Sequence, residues 1–289
     1  MKPSQNIIFN KSAISRLGIG CHKLNGGFEK KRSYNIISTA LDKNITYFDT
    51  APRYGDSEKL LGQFLKGNHE ARVASKVGLS RLDLSLFKKN NDFLKRKFKL
   101  IMKNNFKFAA YYLNNKLQKR YDLNILELNQ NIQPNLHKLI LSEEQIRASL
   151  HKSLKNLQRS HLDIFFLHEP EQYLNIEEIE GIFIKLQDEG LINLYGLGLH
   201  RQLTKKDNFG DSFVTLSMFK KEMLFRKDYN SEFSIIHGSM GFYKFGLEPH
   251  HKKKFLDAAD FLSKLIALHP NKSFLMSPSN KEQLQNIKL

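Results

Sequence analysis

Short β-rich runs alternate with helical patterns along most of this 289-residue chain, and that rhythm restricts the fold more than any other feature. The alternation is typical of βα units wound around a parallel sheet. Eight such runs in a chain of this length predict one (β/α)8 TIM barrel, a single α/β domain over residues 1–289 with a shortened C-terminal part. The predicted strands are Leu17–Cys21, Ile45–Asp49, Arg72–Lys76, Leu162–His168, Leu194–Leu199, Phe213–Phe219, Phe233–His237 and Ser273–Met276.

Three apolar stripes at helical spacing lie between the predicted strands and indicate helices that pack on the sheet. Ser142 and Gln145 have the spacing of a capping box at the start of the second helix. Gly190 is expected as the residue that ends the third. The stripes are Tyr34, Ile37, Ala40 and Leu41, then Ile146, Leu150, Leu154 and Leu157, then Ile179, Ile182, Phe183 and Leu186.

Residues 80–140 interrupt this rhythm after the third strand. They carry 13 Lys and Arg against 4 Asp and Glu, so +9 of the net charge of +17 lies in this segment. One interpretation is a basic amphipathic surface that contacts nucleic acid or a membrane. We favour the other, an insertion in a βα loop that packs its Phe residues on the barrel and leaves its Lys residues in solvent. The interleaved aromatic residues are Phe87, Phe93, Phe98, Phe106 and Phe108.

Composition narrows the class of protein further. A hydrophobic fraction of 40% with 22 Phe supports a sizeable core and argues against wholesale disorder. The chain lacks an apolar run of roughly 18 residues, so we expect no transmembrane helix. The single cysteine, Cys21, excludes an internal disulfide framework, leaves no cysteine-based metal site and fits a reducing cytoplasm. We therefore predict a cytoplasmic protein without a metal, and we find no Gly-rich nucleotide motif.

Charged and polar side chains end three neighbouring predicted strands. Asp49 ends the second strand and Tyr54 follows shortly after it. Lys76 ends the third strand and His168 ends the fourth. In a (β/α)8 barrel these strand ends gather where the active site lies. Burial of such groups is unfavourable unless they pair, so we expect a paired network.

Taken singly, these residues have ordinary structural interpretations, such as a turn cap, a rim aromatic, a snorkelling lysine and a structural histidine. Together they suggest chemistry, because an ammonium beside a tyrosine stabilises phenolate and lowers a pKa that is ordinarily about 10. Tyr54 beside Lys76, itself held by Asp49, would be a proton donor. His168 would orient a carbonyl oxygen. Such a site suits protonation of an oxyanion as hydride arrives at carbon.

Four segments, in the same order, resemble the aldo-keto reductase family. Tyr47–Gly62, reading YFDTAPRYGDSEKLLG, resembles the signature around the catalytic Asp and Tyr. Ala74–Gly78 resembles the strand that carries the catalytic Lys. Leu162–His168 resembles the strand that ends in the catalytic His, and Ile146–Leu150 resembles the segment before it. The resemblance is clear over residues 14–80 and 140–200.

This resemblance implies an NADPH-dependent oxidoreductase that reduces an aldehyde or ketone to an alcohol, or carries out the reverse reaction. The substrate would be a small-molecule carbonyl or alcohol. Tyr54 would be the general acid, Lys76 and Asp49 would tune it, and His168 would orient the substrate.

The resemblance also predicts cofactor contacts, with departures from the family pattern. Leu199 and His200 stand where the family usually has a Ser-Asn pair that holds the nicotinamide amide. His237 stands where a tyrosine often stacks on the nicotinamide ring. Residues 273–286 resemble the segment that grips the adenosine phosphate, and a helix beginning near Asn280 would direct N–H groups at a phosphate.

Gln283 falls where an arginine often clamps the 2′-phosphate, which leaves Lys281 as the nearby cation. The resemblance implies NADPH as the cofactor, and this departure leaves NADH open as the alternative. The predicted cofactor-binding residues are His200, His237, Ser277, Ser279, Asn280, Lys281, Gln283 and Asn286.

Two alternatives to the enzyme remain. The first is an aldo-keto reductase-like binding or regulatory protein that keeps the barrel but turns over little. The second, which we favour least, is a module that binds an anionic surface or nucleic acid through residues 80–140, with an affinity that falls as salt rises.

Overall fold

The chain is described by a computed structural model that covers most of the predicted barrel. Leu199, His200 and residues 80–140 lie outside the described residues, so the predictions made for them stay predictions. The described ranges are 6–9, 12–78, 141–168, 176–198, 210–215, 234–237, 239–241, 243–244 and 249–287.

Strands and helices alternate along the described ranges, as the sequence predicts. The strands are β1 Asn6–Phe9, β2 Ser12–Ser15, β3 Leu17–Gly20, β4 Tyr47–Asp49, β5 Arg72–Val77, β6 Leu162–His168, β7 Ile192–Gly198, β8 Gly210–Thr215, β9 Ser234–His237 and β10 Lys272–Met276. The α-helices are α1 Lys30–Asp42, α2 Ser57–Phe64, α3 Glu143–Leu157, α4 Ile176–Asp188, α5 Ser239–Gly241, α6 Pro249–Lys252, α7 Ala258–Leu268 and α8 Glu282–Gln285.

Eight of these strands close into a barrel in the order β10-β3-β4-β5-β6-β7-β8-β9, which confirms the predicted fold class. The first five pairs along this order, from β10–β3 to β6–β7, are parallel. In this register Gly20 lies opposite Asp49, and His168 lies opposite Gly198. The carboxyl ends of β3 to β7 therefore meet at one end of the barrel, where the sequence predicts the site.

The direction of β8 departs from an all-parallel barrel. This strand runs antiparallel to β7 and to β9. It begins at Gly210 rather than at the predicted Phe213, and residues 216–219 of the predicted strand lie outside the described residues. The connection from β7 comprises residues 199–209, fewer than the dozen or more residues that a parallel crossover needs. A connection of this length can join β7 to an antiparallel strand, because such a strand starts at the same end of the barrel at which β7 finishes.

The barrel has an apolar interior, and strands β3, β4 and β6 are buried along their whole length. Every residue of β6 is buried, which explains why the sequence of that strand is a continuous apolar run before His168. One buried cluster joins side chains from six barrel strands with one from the β1–β2 hairpin: Ile14, Tyr47, Ala74, Ile164, Phe166, Leu194, Ile235 and Leu275.

The β1–β2 hairpin is tied to the amino ends of the barrel strands. The Ser15 hydroxyl accepts hydrogen bonds from the backbone N–H groups of Thr46 and Tyr47, at 3.2 and 3.1 Å. The Ser273 hydroxyl donates to the Ser15 carbonyl at 2.9 Å. The hairpin therefore lies at the end opposite the predicted site.

The predicted helical stripes are borne out, with one correction. The α3 and α4 stripes are buried, and Gly190 has a φ of +72° just beyond α4. The Gln145 N–H donates to Ser142 Oγ at 3.4 Å, which is one half of the predicted capping box, but Gln145 Oε1 makes no return bond among the described residues. Tyr34 was expected on the buried side of α1 but is 51% exposed. It packs edge-on against Phe64 at 4.9 Å instead, because an aromatic ring can cover a neighbour from the rim of a helix.

The chain divides into two compact units, Met1–Leu79 with Ile146–Leu289, and Ser80–Gln145. The described part of the second unit is Leu141–Gln145, so the insertion expected at 80–140 stays a prediction. Among the described residues, no helix combines the length and apolar character needed to cross a membrane.

Candidate active site

The predicted catalytic residues lie at the carboxyl ends of neighbouring barrel strands. Asp49 is the last residue of β4, Lys76 is the penultimate residue of β5, and His168 is the last residue of β6. Tyr54 lies on the loop between β4 and α2. The rings of Tyr54 and His168 meet edge to face with centroids 6.4 Å apart.

Lys76 and Asp49 form a buried ion pair between Nζ and Oδ1, and both side chains are 5% exposed. The Lys76 ammonium also donates to the Thr50 carbonyl at 2.9 Å. Burial on its own lowers the pKa of Lys76, but the charges of Asp49 and Tyr54 more than reverse this. The pKa of Lys76 is therefore raised, and the residue is held as an ammonium.

A short, hydrogen-bonded loop places Tyr54 beside that ammonium. The Tyr54 N–H donates to the Ala51 carbonyl at 2.9 Å, and the Thr50 and Ser57 hydroxyls lie 2.5 Å apart. Gly55 has a φ of +64°, a conformation that favours glycine and turns the chain into α2. Lys76 Nζ lies 5.2 Å from the centre of the Tyr54 ring.

Tyr47 is a site residue that the sequence analysis missed. Its hydroxyl, fully buried, donates to Asp49 Oδ2 at 3.5 Å, so Asp49 has a partner on each oxygen. Burial and the Asp49 charge raise the pKa of Tyr47 well above its ordinary value, so it stays a neutral donor. The sequence contained a signal for Tyr47, because residues 47 and 49 of one strand point to the same face of the sheet.

Glu58 supports both sides of the site. This buried carboxylate, in α2, accepts from the Ser75 hydroxyl at 2.8 Å and from the Asn156 side-chain amide at 3.0 Å. Ser75 adjoins Lys76, and α2 follows the Tyr54 loop. Glu58 therefore fixes the helix after Tyr54 against the strand that carries Lys76.

His22 is a second residue that the sequence analysis missed. Its ring meets the Tyr54 ring at 6.1 Å, and its Nδ1 lies 3.1 Å from Ser277 Oγ. Burial, followed by the charge of Lys23, lowers the pKa of His22. His22 follows β3 in a 3-10 turn, Cys21–Lys23, directly after the predicted first strand, so the strand-end rule could have found it.

Four of the predicted cofactor-binding residues are brought together after β10. Lys23 Nζ donates to the Ser277 carbonyl at 3.1 Å and lies 3.2 Å from Ser279 Oγ. The Ser279 N–H donates to Gln283 Oε1 at 2.7 Å, and the Gln283 N–H donates to Asn280 Oδ1 at 3.2 Å.

The helix predicted near Asn280 is short. It is α8, which spans only Glu282–Gln285, so it carries little of the dipole expected of a longer helix. Lys281 precedes α8 and Asn286 follows it, and both side chains are exposed. His237 is the last residue of β9, a strand parallel to β10, so it belongs to the same end of the barrel.

Positive charge is concentrated beside Ser277 and Ser279. Arg32 donates to the Lys23 carbonyl at 2.8 Å and to the Ser279 carbonyl at 3.4 Å. Burial, then the charges of Arg32 and Lys244, lower the pKa of Lys23. Glu29 pairs with Arg32 at 3.0 Å and offsets part of this charge. The remaining positive charge around Lys23 is suited to an anionic group, so the donor set fits the phosphates of a dinucleotide.

The described residues include no group of three or more His, Cys, Asp or Glu side chains that could hold a metal ion.

Comparisons with known proteins identify relatives of the chain. It is 28% identical over 196 residues to a D-threo-aldose 1-dehydrogenase from a Pseudomonas species, a match that covers 64% of this chain and 50% of that protein. It is 24% identical over 216 residues to an uncharacterized oxidoreductase from Bacillus subtilis (strain 168), covering 72% and 54%. The chain thus spans about half the length of the curated relatives that it matches.

Solved structures show the same fold. A glycerol dehydrogenase from Gluconobacter oxydans superposes with a TM-score of 0.61 at 15% identity, covering 99% of this chain and 89% of that one. The holo form of an aldo-keto reductase from Bacillus halodurans superposes with a TM-score of 0.56 at 19% identity, with the same coverage.

A family-level match covers most of the chain. The model of the aldo/keto reductase family matches residues 16–204, well over half of the chain. That range contains all four predicted catalytic residues and ends before the segment after β10. The chain belongs to the aldo/keto reductase family.

Proposed function

We propose that this chain is an NAD(P)H-dependent oxidoreductase that reduces an aldehyde or ketone to an alcohol, or catalyses the reverse reaction. The observation that carries the proposal is the buried Lys76–Asp49 pair, whose ammonium lies 5.2 Å from the centre of the Tyr54 ring. The ammonium of a lysine at the protein surface is solvated by water, so it does not require a buried carboxylate, a backbone acceptor and a tyrosine around it. A tyrosine that releases a proton near neutral pH does need such a neighbour.

In the proposed reaction Tyr54 donates the proton that a carbonyl oxygen acquires as it becomes a hydroxyl. The phenolate that remains on Tyr54 is stabilised by the Lys76 ammonium, because opposite charges attract strongly in a buried site. Asp49 keeps that ammonium charged and fixes its position. The Tyr47 hydroxyl holds the second Asp49 oxygen, so that the carboxylate cannot turn away from Lys76.

His168 orients the carbonyl in this proposal. It is 7% exposed and meets the Tyr54 ring edge to face, so its imidazole reaches the same small space as the tyrosine. Two polar groups directed at one oxygen fix both its distance and its angle to the proton donor.

A reduced nicotinamide cofactor, when bound, would supply the hydride for the carbonyl carbon. Lys23, Arg32 and Ser279 would hold its phosphates, which is supported by the cation cluster beside Ser279. The same short segment begins at Ser277 and contains Asn280, Lys281, Gln283 and Asn286. We propose these five residues as further cofactor contacts.

His237 and His200 are proposed to contact the nicotinamide end. His237 ends β9 at the barrel end that holds Tyr54, which supports its place in this group. For His200 the proposal rests on the family pattern alone. NADPH is the proposed cofactor, with NADH as the alternative, because NADPH is the cofactor that the family resemblance implies.

The experiment that tests this function is a cofactor titration followed by turnover. NADPH and NADH are titrated into the purified chain and into Tyr54→Phe, with nicotinamide fluorescence as the readout. We expect NADPH to bind both proteins equally, since Tyr54 is not placed among the phosphate contacts. Binding of neither cofactor at high micromolar concentration would favour the binding-protein alternative.

Turnover is then measured with a panel of aldehydes and ketones. We expect Tyr54→Phe to lower kcat by about 10²- to 10⁴-fold, the usual contribution of a positioned general acid. Binding of NADPH without turnover of any panel member, or turnover that survives in Tyr54→Phe, would refute the proposed mechanism.

A further inference from the structure

His22 occupies a fixed position in the candidate active site. Its ring lies against the Tyr54 ring at an interplanar angle of 69°, and its Nδ1 is hydrogen-bonded with the Ser277 hydroxyl at 3.1 Å. The Ser277 carbonyl in turn accepts from Lys23 at 3.1 Å. The imidazole thus links the segment that follows β3 to the segment that follows β10. Contacts on two sides fix the plane of its ring.

The backbone of β3 makes room for this arrangement. A Cβ atom at Gly20 would lie 2.5 Å from Ser277 Oγ, closer than real atoms approach. Glycine at position 20 therefore allows the hydroxyl to reach His22. An imidazole that only filled space would not need a hydroxyl partner or a glycine to admit that partner.

The second ring nitrogen, Nε2, has no hydrogen-bond partner among the described residues. The side chain of His22 is exposed at the same barrel end as Tyr54, so Nε2 is accessible to a small molecule. The charged groups that act on His22 are Lys23 and Lys76, which oppose a further positive charge, and Asp49, which favours one. Partial burial of the ring, followed by these charges, lowers the pKa of His22.

We propose that His22 determines substrate specificity by a hydrogen bond from Nε2 to a hydroxyl group on the carbon next to the substrate carbonyl. The proposal rests on the proposed function, because Tyr54 must hold that carbonyl. The two oxygens of an α-hydroxy aldehyde or ketone are separated by only two carbon atoms. One small substrate therefore reaches both Tyr54 and the ring that packs against it.

A hydroxyl suits this position better than an ionic group. The Ser277 hydroxyl both donates and accepts, so it permits either tautomer of His22, and Nε2 is then a donor or an acceptor. A substrate hydroxyl complements both forms. A substrate ammonium would be repelled by Lys23 and Lys76, and a substrate carboxylate would pair with only one tautomer.

The test compares two substrates that differ only in hydroxyl groups, glyceraldehyde and propanal, with NADPH as cofactor. His22→Phe keeps an aromatic ring beside Tyr54 and removes both nitrogens. We expect it to lower the ratio of kcat/KM for glyceraldehyde to kcat/KM for propanal about tenfold, the scale of one lost hydrogen bond. His22→Gln restores a polar group and should recover part of the preference. Equal losses with both substrates would overturn the proposal, since they indicate a structural role.

A second measurement does not depend on turnover. The Nε2 signal of His22 is observed by NMR in histidine-labelled protein, assigned by its absence in His22→Phe, with and without NADPH. Glycerol should shift this signal and 1-propanol should not. A shift in a chain that turns over no member of the aldehyde and ketone panel would support the hydroxyl contact and refute the proposed function. No shift with glycerol would refute the contact whatever the activity.

Discussion

The ammonium of Lys76 serves two partners at once, since it is paired with Asp49 and lies 5.2 Å from the centre of the Tyr54 ring. The site therefore links folding stability to chemistry. Removal of the ammonium affects the buried carboxylate as well as the tyrosine, and the two effects can be measured separately.

Lys76→Met is expected to reduce the free energy of unfolding by about 3–5 kcal/mol, because it leaves the Asp49 carboxylate buried without its cation. The double variant Lys76→Met with Asp49→Asn removes that charge and should recover much of the loss. Urea unfolding followed by circular dichroism measures both. Lys264→Met is the matched control, since its partner Asp260 lies at i,i+4 on an exposed face and the change should be below about 1 kcal/mol. Equal effects at the two lysines would contradict the buried pair.

The pH dependence of stability has a definite sign. The pKa of Lys76 is raised above its ordinary value of 10.5, so its contribution is fully present below pH 10.5 and is lost as pH rises through the folded-state value. As the pH rises above 10, the free energy of unfolding of the native chain should fall more steeply than that of Lys76→Met. Lys264→Met should keep the native slope. An unchanged slope in Lys76→Met would show that this lysine is not held as described.

Glu58 is expected to act as a positioning residue. Glu58→Ala leaves the Ser75 hydroxyl and the Asn156 amide without their acceptor, which should destabilise the fold by about 2–4 kcal/mol. It should also lower kcat more than it raises KM, because Ser75 adjoins Lys76. Glu58→Gln keeps one acceptor oxygen and should recover part of kcat. The exposed neighbour variant Lys59→Ala should change neither quantity, and a kcat that is insensitive to Glu58→Ala would remove its positioning role.

Much of the candidate site was predictable because the relevant residues interrupt apolar strands. Asp49, Lys76 and His168 stand at the ends of runs that are otherwise buried, and a parallel barrel brings such ends together. The position of Tyr47 beside Asp49 could equally be predicted from the alternation of side chains along a strand. These positions follow from local patterns, which need no knowledge of distant contacts.

Other features depend on contacts between segments far apart in the chain. His22 owes its place to Ser277, 255 residues later, and no spacing rule joins a 3-10 turn to the end of the last strand. The direction of β8 follows from the shortness of residues 199–209, which the sequence shows as a missing helix but not as a reversed strand. Tyr34 lies outside its predicted stripe because Phe64 of another helix offers it a partner.

Two helical glycines, Gly62 in α2 and Gly181 in α4, should respond in opposite ways to the same substitution. A Cβ at Gly62 would lie 2.2 Å from the Asn156 carbonyl oxygen, so Gly62→Ala must push α2 away from α3. We expect a loss of about 1–3 kcal/mol, as for other overpacked contacts.

A Cβ at Gly181 meets no atom within 4 Å, so Gly181→Ala should gain about 0.5–1 kcal/mol from the higher helix propensity of alanine. Thermal and urea unfolding of the two variants measure the difference. Because α2 directly follows the Tyr54 loop, Gly62→Ala should also lower kcat, whereas Gly181→Ala should leave it unchanged. Stabilisation by both substitutions would mean that α2 and α3 are farther apart than the structure has them.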